Sequence, residues 1–473
     1  MSMSELANQI DIIATWLFRY VVMWLLLGAG AFLTIRFGVV QLRRIGEAFR
    51  AMVAQQTKGA TGGALTPFQA FMTALAASIG TGNIAGVATA IMTGGPGALF
   101  WIWVYGFLAT AIKFAEAVLG VKYRETQGDQ VRCGPMYYLR DGLKSPALAW
   151  IYALVAGVAA LTTTPFTQPN SIAIAVNHVW PTGTVDLGTF AWVVRIGPVQ
   201  RTAFIAGLIV AVLTIAVILG GIKSIGRAAE KLAPFKVGLY LAGGAIVIVS
   251  FAGNLPHVFS LVFREALSLQ SVMGFGMFAA MRYGIARGIY ANEAGYGTAA
   301  VAYGTAKTSD PSQQGLQAVM EVFIVSFVTA TISAMVILVS GVAEASIAVG
   351  RDSPQYVTST AAVASAFNMA IPTVGGWIVA FCVFLFGYTT LIGWAYYGEQ
   401  FLEYIFGRGV TMPYRWIYCA LIPFGAIIRP EVVWAWGDLM NALQVFPNMV
   451  GLLGLSGMVA IYARKHHMTR PGI

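Results

Sequence analysis

The chain has 473 residues, of which 58% are hydrophobic and 10% charged, with a mean hydropathy of +0.73 and a net charge of +10. A soluble domain carries about a quarter charged residues, so the composition excludes an ordinary soluble protein and implies a polytopic membrane protein in the lipid bilayer. The positive charge gathers in loops on one side, which assigns it to the inner leaflet and not to nucleic acid.

Apolar runs of about 20 residues predict an all-α integral membrane fold of eleven spans. They lie at roughly 15–36, 67–93, 97–121, 147–177, 201–220, 234–252, 271–303, 315–342, 374–401, 414–429 and 433–463. The first run is long enough to span and lacks a small-residue cleavage pattern, so no cleaved leader is expected. With the N-terminus outside, nineteen of the 29 Lys and Arg residues fall in cytoplasmic segments and five in outer ones. This positive-inside bias places the C-terminus in the cytoplasm of a cell (inner or plasma) membrane protein. The three cysteines and four histidines show no metal spacing, and no GxSxG, HExxH or intramembrane aspartate pair argues for an enzyme.

After the first span, Arg43, Arg44 and Arg50 suggest a basic amphipathic helix on the cytoplasmic surface. The second span is interrupted by Gly80, Gly82 and Gly86, with Thr81 and Asn83 between them. Glycine costs about 1 kcal/mol in a helix interior, and backbone freed within hydrocarbon is tolerated where it lines a cavity or faces protein. A broken helix facing something polar and a tight glycine-packed crossing both fit this stretch. In the third span, Lys113 and Glu116 sit three apart and are expected to pair on one face. The fourth span carries Pro165, Gln168, Pro169 and Asn170, a run that reads as interhelical glue or as a site wall. Lys236 opens the sixth predicted span, where it either snorkels to the cytoplasm or acts.

Leu255 to Leu269 reads as a surface helix. The seventh span repeats the glycine interruption at Gly274-Phe275-Gly276, with Arg287 to Gly297 following. Two interrupted helices at matching places in two five-span halves point to an inverted repeat with a binding site between the breaks. The expected organisation is an N-terminal span and amphipathic segment at 1–64, a first repeat at 65–253, a surface helix at 254–270, a second repeat at 271–463 and a basic tail at 464–473. Thr389 and Thr390 in the ninth span either bond their own backbone or offer hard oxygen ligands to a small cation. Asp438 falls near the outer end of the last span.

SIGTGNIAGVATAIMTGGPGALFWIWV, GGIKSIGRAAEKLAPF, ARGIYANEAGYG, TTLIGWAYYGE and GDLMNALQVFPNMVGLLGLS, in this order, resemble the alanine or glycine:cation symporter (sodium:alanine symporter-like) family, of which the chain reads as a divergent member. The resemblance runs from about Leu65 to the end. It implies one extra N-terminal helix plus a 5+5 inverted-repeat amino-acid transporter fold with two discontinuous helices. It also implies uptake of a small neutral amino acid with sodium and no other cofactor. Carried over by residue, the amides of Thr81 and Gly82 beside Gly80 would bind the substrate carboxylate. Asn83 would hold that turn or a cation, Gln168 would line the site, and carbonyls near Gly274 and Phe275 would receive the ammonium. Trp394 would bound the side-chain pocket. A sodium ion would sit among the carbonyls of Ala76 and Ile79 and the hydroxyls of Thr389 and Thr390.

The chain departs from the family pattern at three places. Val325-Ser326 stand where Asp-Thr is common, Met273 to Phe278 are bulkier than usual, and Lys236 replaces an apolar residue. In some proton-coupled relatives of the wider superfamily, a lysine at the matching place plays the part of the sodium ion, and a buried lysine can cycle its proton. Sodium symport is therefore the first expectation and proton coupling through Lys236 the alternative. A passive channel and an amino-acid sensor remain as readings from other classes; the sequence leaves the oligomeric state open.

Overall fold

The computed structural model describes residues 3–53, 62–127, 130–186, 189–190, 194–195, 198–268, 276–350, 353 and 355–464. Among these residues the chain is a bundle of long helices with three two-stranded antiparallel sheets in its loops. Helix α1 runs from Met3–Leu17 through a π-turn at Phe18–Val22 into Met23–Arg36. A short amphipathic helix, α2 (Ile45–Met52), follows. The interrupted span is α3 (Pro67–Ser78) and α4 (Ala85–Gly94), bent by 62° at the break. Next come α5 (Ala98–Lys122), α6 (Pro146–Val179), α7 (Arg201–Ile218), α8 (Gly221–Ser250) and the surface helix α9 (Leu255–Leu267). The second half comprises α10 (Met277–Asn292), α11 (Thr298–Gly304), α12 (Pro311–Val339), α13 (Ser359–Ala370), α14 (Gly375–Phe406), α15 (Thr411–Ile427), α16 (Pro430–Gly454) and α17 (Ser456–Arg464).

Among the described residues, seven helices are long and apolar enough to cross a membrane. Two bent pairs, α3 with α4 and α16 with α17, raise this to nine. The two remaining predicted spans correspond to α10 with α11 and to α15, each a shorter helical piece. α14 is the most enclosed of the long helices, and its Phe386–Phe401 segment is buried throughout. Around it lie α3, α6 and α8, all packed on its faces.

Among the described residues, the seventh predicted span has a discontinuity at 293–297, C-terminal to the glycines that suggest one. Gly274 and Phe275 lie outside the described residues, and α10 is unbroken from Met277 to Asn292. The helix stops at Glu293, which has φ +55°, and Gly295 and Gly297 follow at φ +96° and +85°. Three left-handed residues within five cannot continue a right-handed helix, so the chain unwinds over 293–297 before α11 begins.

Two charged expectations also change partner. Lys113 pairs with Glu321 on α12 at 2.8 Å, not with Glu116. Glu116 instead accepts from the backbone N–H of Gly295 (2.9 Å), that of Gly297 (3.0 Å) and the Asn448 amide (2.9 Å). A carboxylate satisfies the donors that unwinding set free. Arg44, expected at a surface, is buried. It reaches Glu47, Ser312 and the carbonyls of Tyr462 and Ala463 at the end of α17.

Candidate functional site

The break between α3 and α4 begins at Ile79 (φ −81°, ψ +75°) and Gly80 (φ −99°, ψ −169°), which leave the helical region. A single 3₁₀ turn, Thr81–Asn83, bridges to α4. Three consequences follow for the main chain. The carbonyls of Ala76, Ala77 and Ile79 lose their helical donors, the Thr81 N–H loses its acceptor, and all are buried away from water.

Each group has found a side chain. Thr81 N–H donates to Gln168 Oε1 at 3.1 Å, and the Thr81 hydroxyl donates to the same oxygen at 3.0 Å. Thr390 Oγ1 donates to Ala77 O at 2.8 Å. Lys236 Nζ donates to Ala76 O at 3.0 Å, Ile79 O at 2.6 Å and Thr389 Oγ1 at 2.5 Å. The ammonium therefore sits on three of the four residues expected to hold sodium, and the fourth, Thr390, lies beside it. Thr389 also donates to Phe386 O on its own helix at 3.1 Å, so the backbone-bonding reading of this hydroxyl holds as well.

Lys236 does not snorkel. Its helix starts at Gly221, fifteen residues earlier, which at 1.5 Å per residue puts the lysine ~22 Å along α8. Its side chain is fully buried, with its Nζ 5.2 Å from the centre of the Phe386 ring.

Asn83 fastens the turn. Its Nδ2 donates to Ser78 O at 3.0 Å, and its Oδ1 and carbonyl accept from the Thr329 and Ser333 hydroxyls on α12. Asn170 is glue between helices, donating to Gly425 O and Ile428 O at the end of α15. Gln168 is the wall residue.

A cavity opens between the two breaks. It is lined by Ser78, Gly80, Gly82 and Asn83 from the first break, Thr163, Thr164 and Gln168 from α6, and Tyr290, Glu293 and Tyr296 from the second. Thr390 and Trp394 of α14 and Asn441 of α16 complete it. The sequence-nominated Gly80, Gly82, Asn83, Gln168, Thr390 and Trp394 thus share one chamber, with Thr81 directly behind Gln168. Glu293 and Tyr296 were missed. Gly295 and Gly297 within an apolar run carried the same glycine signal that marked the first break. Trp394 does more than bound the cavity: its indole N–H donates to Glu293 Oε1 at 2.7 Å, while Thr298 Oγ1 donates to Oε2 at 2.9 Å.

The glycines at the first break are dictated by close approach. A Cβ on Gly80 would meet Thr390 Oγ1 at 2.7 Å, and one on Gly82 would meet the Tyr290 ring at 2.6 Å.

Both ends of the chamber are covered. On one side Tyr290 packs on Trp434 with ring centres 5.1 Å apart, and the Arg287 guanidinium lies 5.5 Å from the Trp434 ring. A second, wider cavity lined by Asp11, Arg19, Arg282, Arg287 and Asp438 lies beyond them. At the other end, the chain entering α3 pairs with the chain leaving α11. Ala64 N–H donates to Thr305 O at 2.8 Å, and Lys307 N–H to Leu65 O at 2.7 Å. Arg124 stitches the same seam, donating to the carbonyls of Gly62, Gly304, Ala306 and Thr308.

A polar chamber between two unwound segments in an apolar helical bundle is the arrangement of a membrane transporter. The fold is similar to that in the crystal structure of MhsT in complex with L-phenylalanine, with a TM-score of 0.55 at 13% identity over 85% of this chain and all of that one. It is also similar to an Eremococcus coleocola manganese transporter, with a TM-score of 0.53 at 16% identity over 81% of this chain and 77% of that one. The chain belongs to the sodium:alanine symporter family, which it matches over residues 3–471. It is 36% identical to the sodium/alanine symporter AgcS of Methanococcus maripaludis, over 92% of this chain and 91% of that one. It is 32% identical to the putative sodium/proton-dependent alanine carrier protein YrbD of Bacillus subtilis (92% and 87%), and 30% identical to that organism's probable sodium/glutamine symporter GlnT (92% and 85%).

Proposed function

We propose that this protein is a secondary active symporter that takes up a small neutral amino acid of the alanine/glycine class by alternating access. In this reading it is coupled to protons through Lys236. The observation that carries the coupling is the seat of the Lys236 ammonium on Ala76 O, Ile79 O and Thr389 Oγ1. A cation there ties α3 to α8 and α14, and losing its proton removes the charge that holds the two carbonyls. α3 is then free to swing. The substrate carboxylate would take the Thr81 and Gly82 amides at the positive end of a half-helix, displacing the Gln168 oxygen that sits on Thr81. The halves 65–253 and 271–463 would be related as inverted repeats, with eleven crossings, the N-terminus outside and the C-terminus cytoplasmic.

Family membership favours a second reading, sodium coupling. It requires the ammonium to leave these oxygens, or an ion site elsewhere. Uptake of labelled alanine and glycine into proteoliposomes, with sodium and proton gradients imposed separately, distinguishes the two. Accumulation driven by a proton gradient in sodium-free buffer is expected. Accumulation that needs sodium and persists in Lys236→Met would establish the sodium reading. Equilibration without accumulation would make the protein a facilitator, and binding without counterflow would make it a sensor.

A further inference from the structure

The second unwound segment carries a group that the carboxylate anchor does not use. Glu293 is 6% exposed and lines the chamber, and it is aimed by Trp394 and Thr298, which each donate to one of its oxygens. A carboxylate has about four acceptor positions, so two remain for a ligand. Tyr296, three residues on, is 1% exposed and lines the same chamber. Among the described residues its hydroxyl has no hydrogen-bond partner. A buried hydroxyl left unpaired is costly, and this one belongs to a residue that lines the chamber, so it is open to a ligand's hydrogen bond.

A carboxylate and an unpaired hydroxyl on the lining of one chamber suit a compact cation that donates several hydrogen bonds. A primary ammonium has three such donors. The geometry points to Glu293 and Tyr296 as the receptor for the substrate's α-ammonium group, so that the chamber recognises a zwitterion and rejects the same skeleton without its amine. This rests on the amino-acid reading above and deepens it. It also moves the ammonium contact from carbonyls near Gly274 to a charged side chain at the second break. Discrimination then follows from leaving a buried carboxylate unpaired, the kind of penalty by which polar sites reject isosteres.

The test is binding to the purified full-length protein, with labelled L-alanine displaced by unlabelled L-alanine or by propionate, which has the carboxylate and methyl group but no amine. The wild-type protein is expected to prefer alanine by about 10- to 100-fold, the span of a hydrogen bond between charged groups. In Glu293→Gln, alanine binding should fall by about that factor, bringing the preference near one. Tyr296→Phe leaves the Trp394–Glu293–Thr298 bonds intact and should lose alanine affinity by about 3- to 10-fold, which keeps the proposal testable should Glu293→Gln fail to fold. A wild-type protein that binds propionate as well as alanine overturns the inference, as do variants that keep the wild-type preference. A wild-type protein that binds no amino acid sinks the amino-acid reading and the inference with it. One that binds alanine with Glu293→Gln unchanged sinks the inference alone.

Discussion

Lys236 Nζ lies 2.6 Å from the carbonyl oxygen of Ile79, the residue at which the first half of the broken helix ends. The contact spans 157 residues of sequence and closes a gap that the helix break itself opens. Lys236→Met keeps the bulk and removes the charge. It should abolish proton-driven accumulation of alanine, reducing it to equilibration, while exchange of labelled for unlabelled alanine continues. Uptake whose pH profile is unchanged in the variant would show that the lysine is structural.

The glycines at the first break differ in how much room they have. Gly80→Ala and Gly82→Ala drive a methyl group into Thr390 and Tyr290, respectively, whereas a Cβ on Gly86 would reach only Arg287 Cδ at 3.6 Å, an ordinary contact. Overpacking of this kind costs about 1–3 kcal/mol. Transport by the first two variants should drop about tenfold or more, with Gly86→Ala near wild type. Equal activity across all three would mean that the chamber walls yield.

Glu116 holds the amides of Gly295 and Gly297, so it maintains the shape of the unwound segment from a neighbouring helix. Glu116→Ala strands the two buried backbone donors, at about 1–3 kcal/mol for each, and removes one of the two bonds of the Asn448 Nδ2, which keeps Gly295 O. Lower thermal stability and faster amide exchange at 293–297 are expected, with Glu116→Gln intermediate. Exchange confined to other regions would contradict this role.

The Lys113–Glu321 pair is buried on both sides, and Tyr303 donates to the other glutamate oxygen at 2.9 Å. Removing one partner leaves a lone charge in the interior, which costs about 3–5 kcal/mol. Lys113→Met should therefore express poorly, and Lys113→Met with Glu321→Gln should recover most of the folded yield. A double variant no better than the single would point to a role beyond charge balance.

Arg124 joins four backbone carbonyls across the seam between the α3 entry and the α11 exit. Arg124→Ala should shift the resting protein toward a form open at this end. A cysteine placed at Ser78 is then expected to label several-fold faster, with reagent added on the side of this seam, than in the Arg124 background. Unchanged labelling would show that the Leu65–Ala306 backbone pairing seals this end alone.

Long apolar runs made most of the bundle legible, because hydrocarbon demands length and uniform apolarity and α5, α6 and α14 supply both. The first break was equally visible, since Gly80 and Gly82 stand where no side chain fits. The break expected at Gly274-Phe275-Gly276 has its first two residues outside the described residues; among those described, the φ values of Glu293, Gly295 and Gly297 and the carboxylate of Glu116 make an interruption that the sequence reading does not single out. Partners were the least legible. Lys113 had Glu116 three residues away but chose Glu321 on another helix, because the local glutamate was needed by distant amides. The oxygens around Lys236 were identifiable as a cation site from their chemistry, but only the packing of α8 could place the lysine's own ammonium on them.

Arg44 contacts Tyr462 and Ala463 across some 418 residues of sequence. During synthesis that guanidinium leaves the ribosome long before its acceptors exist. At ~5–20 residues per second, the wait is on the order of a minute. The end of the bundle where α2 meets α17 can therefore lock only once translation has almost finished. A chain truncated before residue 462 would leave this arginine without the two carbonyls, holding only Glu47 and Ser312.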